Sequence, residues 1–112
     1  MAITEYENGT ETLAIGVEVS LNTTSPDTTG GVYQFFVDTT AMQSGDTLIL
    51  RVKEKTRSTT AQGLVFGATV SDTQSEPQWV SPALILLHGW DFTLAQTTGT
   101  GRAFPWSIRR VS

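Results

Sequence analysis

A chain of 112 residues with 38% hydrophobic residues, no cysteine and a formal charge of −4 has the length of one domain, and enough chain to bury roughly two-thirds of its unfolded surface. The lack of cysteine excludes disulfides and thiolate metal sites, and the acidic balance counts against a general nucleic-acid-binding role. Met1 to Glu7 lack the basic start and apolar run of a secretory signal. The longest apolar run, Pro82 to Leu87, is of strand length and far short of the ~20 residues of a membrane-spanning helix, so a soluble protein without a membrane partner is expected.

The charge is unevenly placed. Residues 1–50 carry seven acids and no Lys or Arg, whereas residues 51–112 carry seven bases against four acids. Such segregation serves either pairing across strands within one fold or contact between neighbouring copies.

In chain order, Asn8-Gly9 tolerates the positive φ of a tight turn and predicts a hairpin between a short strand at 2–7 and a strand at Thr12 to Leu21. In the latter, Leu13, Ile15, Val17, Val19 and Leu21 alternate with smaller or polar residues. Asn22 to Gly31 reads as a polar loop. Val32 to Asp38 is a strand with apolar residues on both faces (Tyr33, Phe35, Val37 and Val32, Phe36), as in a sandwich interior or at a subunit contact. Ala41-Met42-Gln43 fits one helical turn before Ser44-Gly45-Asp46.

Thr47 to Thr56 is a strand with Leu48, Leu50 and Val52 inward and Ile49, Arg51, Lys53 and Lys55 outward. Leu64, Phe66, Ala68 and Val70 mark the next strand, with Gly63 and Gly67 on its other face. A strand at about 82–87 ends at His88-Gly89, and Trp90, Phe92 and Leu94 define another. Thr97 to Gly101 turns the chain into a last strand, Arg102 to Val111, where Pro105 requires an edge or a bulge. Seven or eight strands at short spacing predict a single all-β domain, an antiparallel β-sandwich with jelly-roll topology as the leading arrangement.

The chemistry of catalysis is sparse. His88 is the single histidine, so a nucleophile–base pair would have to recruit it, with Asp91 nearby, and a histidine held by backbone groups is the simpler reading. One histidine without cysteine does not make a zinc site, and no clustered acidic run suggests calcium. No metal or cofactor is expected. Glu5 and Glu7 on one strand read as solvated surface, not as a glycosidase pair.

The candidate interaction residues are cationic and aromatic. Arg51, Lys53, Lys55 and Arg57 repeat at a spacing of two, and such a row is either exposed or matched by acids; on an edge strand it would also guard against sheet pairing. Arg102, Arg109 and Arg110 form a second group. Trp79, Phe104 and Trp106 lie among proline-bearing segments of the last third, with Trp79 expected in a loop, and tryptophan is frequent at interface hot spots. Trp90 reads as core. Exposed aromatics could instead stack on sugars, which makes a carbohydrate-binding or host-adhesion module the rival function.

Several segments carry a resemblance to a known group of proteins: Ser44-Gly45-Asp46-Thr47 through Arg51-Val52-Lys53-Glu54-Lys55, Ser75-Glu76-Pro77, His88-Gly89-Trp90 and, above all, Gln96 to Arg110 with Gly99-Thr100-Gly101-Arg102-Ala103-Phe104-Pro105-Trp106. Over roughly residues 32–111 the chain resembles small proteins encoded among the head and structural genes of tailed bacteriophages. The resemblance implies a virion component made in the host cytoplasm, present in many copies as a homo-oligomer, and docked on other virion proteins such as the major capsid protein. Capsid decoration or cement, head-spike base and tail all remain open, and the resemblance carries over no catalytic residue.

Overall fold

Residues 2–111 are described by a computed structural model, in which the regular structure consists of nine strands and no helix. They are β1 (Ile3–Thr12), β2 (Glu18–Ser20), β3 (Gly31–Asp38), β4 (Thr47–Lys55), β5 (Gln62–Ser71), β6 (Gln78–Val80), β7 (Leu84–Leu86), β8 (Asp91–Thr98) and β9 (Ala103–Val111). One sheet has the order β1-β9-β3-β6, with β7 also on β3, and the other has the order β2-β8-β4-β5.

β6 and β7 pair with opposite ends of β3, at Phe36–Asp38 and Gly31–Tyr33 respectively. They are therefore one strand interrupted at Ser81-Pro82-Ala83, where Pro82 has no N–H to give a ladder. Ser81 bridges the gap: its N–H donates to the Phe35 carbonyl (2.9 Å) and its Oγ accepts from the Phe35 N–H (2.9 Å).

The chain then reads as one long hairpin. β4 pairs β5 at its tip, β3 pairs β6 and β7, β2 pairs β8, and β1 pairs β9. Rolling this hairpin sets β9 against β3 and β8 against β4, which is the jelly roll. The expected antiparallel sandwich is the observed one.

Alternation fills the space between the sheets. Tyr33, Phe35 and Val37 from β3, Leu48, Leu50 and Val52 from β4, Phe92 and Leu94 from β8, and Phe104 and Ile108 from β9 are all fully buried around Trp90. The Trp90 ring lies 4.5 Å from Tyr33 and 6.0 Å from Phe35, separations at which aromatic pairs attract.

Four local expectations fail. Asn8-Gly9 makes no turn; it lies within β1, opposite Ser107 and Trp106. A Cβ on Gly9 would come within 3.2 Å of the Trp106 ring, so this glycine serves to admit an indole from the neighbouring strand. The strand expected over Thr12 to Leu21 shrinks to Glu18–Ser20, because residues 13–17 carry the chain from one sheet to the other. Leu13 and Leu21 are buried at either end, but Ile15 and Val17 are about half exposed, at 43% and 50%.

Ala41 to Gln43 is not helical: Met42 N–H donates to Thr39 O and Asp46 N–H to Gln43 O, two consecutive turns that bury Met42. Leu64 faces out and not in, since an irregularity in the β4–β5 register inserts Val65 between Leu64, opposite Lys53, and Phe66, opposite Val52. Pro105, by contrast, fits its constraint: it pairs with Thr10 on one side, and on the other the β3–β9 ladder stops one pair short of it, at Val37 and Trp106.

The stability of the sandwich is expected to concentrate in the Trp90 cluster. Trp90→Ala should lower the unfolding free energy by ~3–5 kcal/mol, whereas Ile85→Ala on the outer face should change it by less than ~0.5 kcal/mol, both measured by urea denaturation followed by circular dichroism.

Candidate interaction surfaces

The cationic row does not form one free face. β4 is an inner strand between β8 and β5, so it cannot act as an edge guard. Arg51 and Lys53 converge on Glu18 of β2, at 3.4 and 3.0 Å, and Thr93 Oγ1 donates to the same carboxylate at 2.6 Å. Burial pushes the Glu18 pKa up, but donation from Thr93, Lys53 and Arg51 outweighs it and leaves the group below the usual carboxylate range. Lys55 ends the strand beside Leu87, His88 and Pro26 around a hollow of about 300 Å³. Arg57 is exposed in the following loop, where its backbone N–H and carbonyl bond the Thr60 hydroxyl.

The second cationic group is likewise distributed. Arg102 Nε donates to Asp46 Oδ2 at 2.8 Å. Asp46 is itself buried and also accepts from the Gln43 and Thr100 N–H groups. The Arg102 hydrogen bond is the chief reason its carboxyl stays below the ordinary range. Arg110 reaches back to the Gly30 carbonyl at 3.1 Å. Arg109 points outward and lies 3.7 Å above the Phe36 ring, a cation–π contact.

Phe104 is fully buried, which removes it from any surface the folded chain presents; its alternation places it in the core beside Ile108. Trp79 is in β6 and not in a loop, half-buried 6.1 Å from Phe66. Trp106 is half-buried over Gly9.

The structure assembles a different surface. Ile3 of β1 pairs with Val111 of β9, Val111 with Val32 of β3, and Val32 with Ile85 of β7. Four β-branched aliphatic side chains thus form one row across four strands on the outer face of the sheet. Ile3 is 75% and Ile85 81% exposed. Phe36 with Arg109 above it, and Val80 opposite Phe36, extend the patch. Beside it is a hollow of about 230 Å³ lined by Ile3, Val32, Phe36, Ala83, Arg109 and Val111. The signal available in the sequence was the two-sided apolar character of Val32 to Asp38; the register that aligns it with positions 3, 85 and 111 was not.

His88 and Asp91 are each held by other partners. His88 is held through its backbone, its N–H donating to Glu54 at 2.9 Å and its carbonyl accepting from Lys55 N–H at 3.0 Å. Asp91 instead collects hydrogen bonds from Ser20, Asn22, Ser25 and Gln62. Among the described residues no three acidic or histidine side chains are grouped to hold a metal. No family model matches the chain, and no curated protein or solved structure was found similar to it.

Because the Asp46 pKa is lowered on folding, its contribution to stability is present above the unfolded carboxylate pKa of ~3.9 and is lost as the pH falls through the lower folded value. Arg102→Met should therefore lower the denaturation midpoint at pH 7, and its deficit against the wild type should shrink steadily below about pH 4. Denaturant titrations at pH 7, 4 and 3 check this.

Proposed function

We propose that the protein is a structural component of a tailed-bacteriophage virion, a capsid decoration or cement subunit or the base of a head spike, which docks on other virion proteins such as the major capsid protein. The observation that carries the docking role is the aliphatic row Ile3–Val111–Val32–Ile85, aligned by register over four strands and open on the outer face. Contiguous exposed apolar patches on folded domains mark interaction sites, and the neighbouring Arg109 and Glu5, opposite each other on β9 and β1, supply a polar border. The resemblance over residues 32–111 directs the docking toward a virion, and jelly rolls recur in capsid proteins.

Lectins share the fold, but sugar binding draws on exposed aromatic faces. Among the described residues the large hydrophobic side chains most exposed are all Ile, Val or Leu, and Trp79, Trp90 and Trp106 are turned into the sandwich or against it. The geometry favours protein over carbohydrate, and a role without catalysis.

Purified particles should contain the protein at fixed, high copy number. Ile85→Glu combined with Ile3→Glu should preserve the circular dichroism spectrum and abolish incorporation. Absence of the wild-type protein from purified virions overturns the virion reading, and undiminished incorporation of the double variant overturns the surface.

A further inference from the structure

A sandwich, unlike a closed barrel, leaves strand edges whose outward N–H and C=O groups can pair with another chain, and natural sheets blunt them by shortness, charge, proline or bulges. Four of the five edge strands here are blunted. β2, β6 and β7 have three residues each, and β6 and β7 are separated by Pro82. β1 is long but carries Glu5, Glu7 and Glu11 and a register break at Tyr6.

β5 differs from all of them. It is ten residues long, Gln-Gly-Leu-Val-Phe-Gly-Ala-Thr-Val-Ser, with no charge and no proline. It pairs with β4 on one side, and among the described residues no other backbone bonds its free side; only its last carbonyl, Ser71 O, is taken, by the Gln74 side chain at 2.7 Å. Leu64 and Val65 are 61% and 49% exposed, and a side chain at Gly63 would meet open space. Its register irregularity lies near the start, leaving Phe66 to Ser71 in regular pairing.

We propose that β5 is a strand-addition edge at which two copies of this chain pair antiparallel, joining their four-stranded sheets into one of eight strands. The absence of charge selects a second copy as the occupant. Two β5 strands meet with no like charges opposed, whereas two β1 strands would oppose their carboxylates. The cations of the adjacent strand, Arg51 and Lys53, are already matched by Glu18 of the same chain and add little repulsion across the two-fold axis. The contact is isologous, so it uses the open edge of both copies and closes at a dimer; the blunted edges prevent further growth. Pairing the strands end to end sets Leu64 opposite Thr69 of the second copy. This inference stands apart from the virion reading, since it concerns the isolated protein.

Sedimentation over a concentration series should show a monomer–dimer equilibrium for the wild type. The double variants Leu64→Lys/Thr69→Lys and Leu64→Glu/Thr69→Glu replace exposed side chains and should each weaken the dimer about tenfold or more, while an equimolar mixture of the two should restore it. Ile85→Glu, on the other sheet, should leave the equilibrium unchanged. A wild type that stays monomeric throughout, a dimer insensitive to charge on β5, a mixture that fails to re-associate, or a dimer lost in Ile85→Glu each overturns the proposal.

Discussion

With no cysteine to staple two sheets together, this sandwich depends on what fills the space between them, and the filling is organised around Trp90. Its ring packs on Tyr33 and Phe35 of the opposite sheet and 6.1 Å from Tyr6, while its Nε1 donates to the Thr29 carbonyl. Its backbone exchanges two 2.8 Å hydrogen bonds with Asp27, whose carboxylate accepts from the Tyr6 hydroxyl. One residue thus ties β1, the β2–β3 loop and both sheets. Burial pushes the Tyr33 phenol up to about 12, which keeps its hydroxyl a donor to Thr29 O throughout ordinary pH. Asn22 completes the corner as a surrogate strand, its amide donating to Trp90 O and accepting from Phe92 N–H. Among the described residues no buried side-chain polar atom is left without a partner, the condition under which a polar corner specifies a fold instead of weakening it.

The nested hairpin also explains the uneven charge. A jelly roll folds the first half of its chain back on the second, so the seven acids of residues 1–50 can meet bases that all lie in residues 51–112. All three ion pairs among the described residues, Glu18 with Arg51, Glu18 with Lys53, and Asp46 with Arg102, join one half to the other, and Glu5 stands opposite Arg109. The Glu18 pairs are partly exposed, so each adds little stability. Their consequence is one of register, because a slip of one residue would carry every charged partner to the other face. Segregation along the chain becomes complementarity across the sheets.

Period-two alternation located β3, β4 and β8 and separated their two faces, with the inward set of β4 assigned correctly; on β9 it assigned no face, and Phe104, read as an interaction residue, is buried. It failed where a strand changes sheets. Leu13 to Leu21 alternates without a break in the sequence, yet Gly16 adopts a positive φ and donates to the Gln96 carbonyl of β8 at an isolated parallel bridge, outside the antiparallel ladder, and the pattern carries no mark of that crossing. Asn8-Gly9 misled for a related reason: glycine serves both turns and close approach, and only the position of Trp106, 97 residues further along the chain, decides between them. The cationic residues were legible as needing exposure or acids. Which acids they meet depends on the order of strands in the sheet, which local spacing does not encode.

The same limit governs the two outer faces. On β3, the alternation of Val32, Gln34 and Phe36 against Tyr33, Phe35 and Val37 separates two faces without saying which neighbours extend them. Register does so. On the β2-β8-β4-β5 sheet the outward row brings Glu18, Thr93, Arg51 and Lys53 together and saturates itself with internal pairs. On the other sheet it aligns Ile3, Val111, Val32 and Ile85, side chains that can satisfy nothing within the chain and gain only by being covered. A face of ion pairs is complete in water; a face of aligned β-branched side chains is not. The difference between the two rows therefore follows from strand order, and it places the exposed aliphatic row on the sheet to which both ends of the described chain belong.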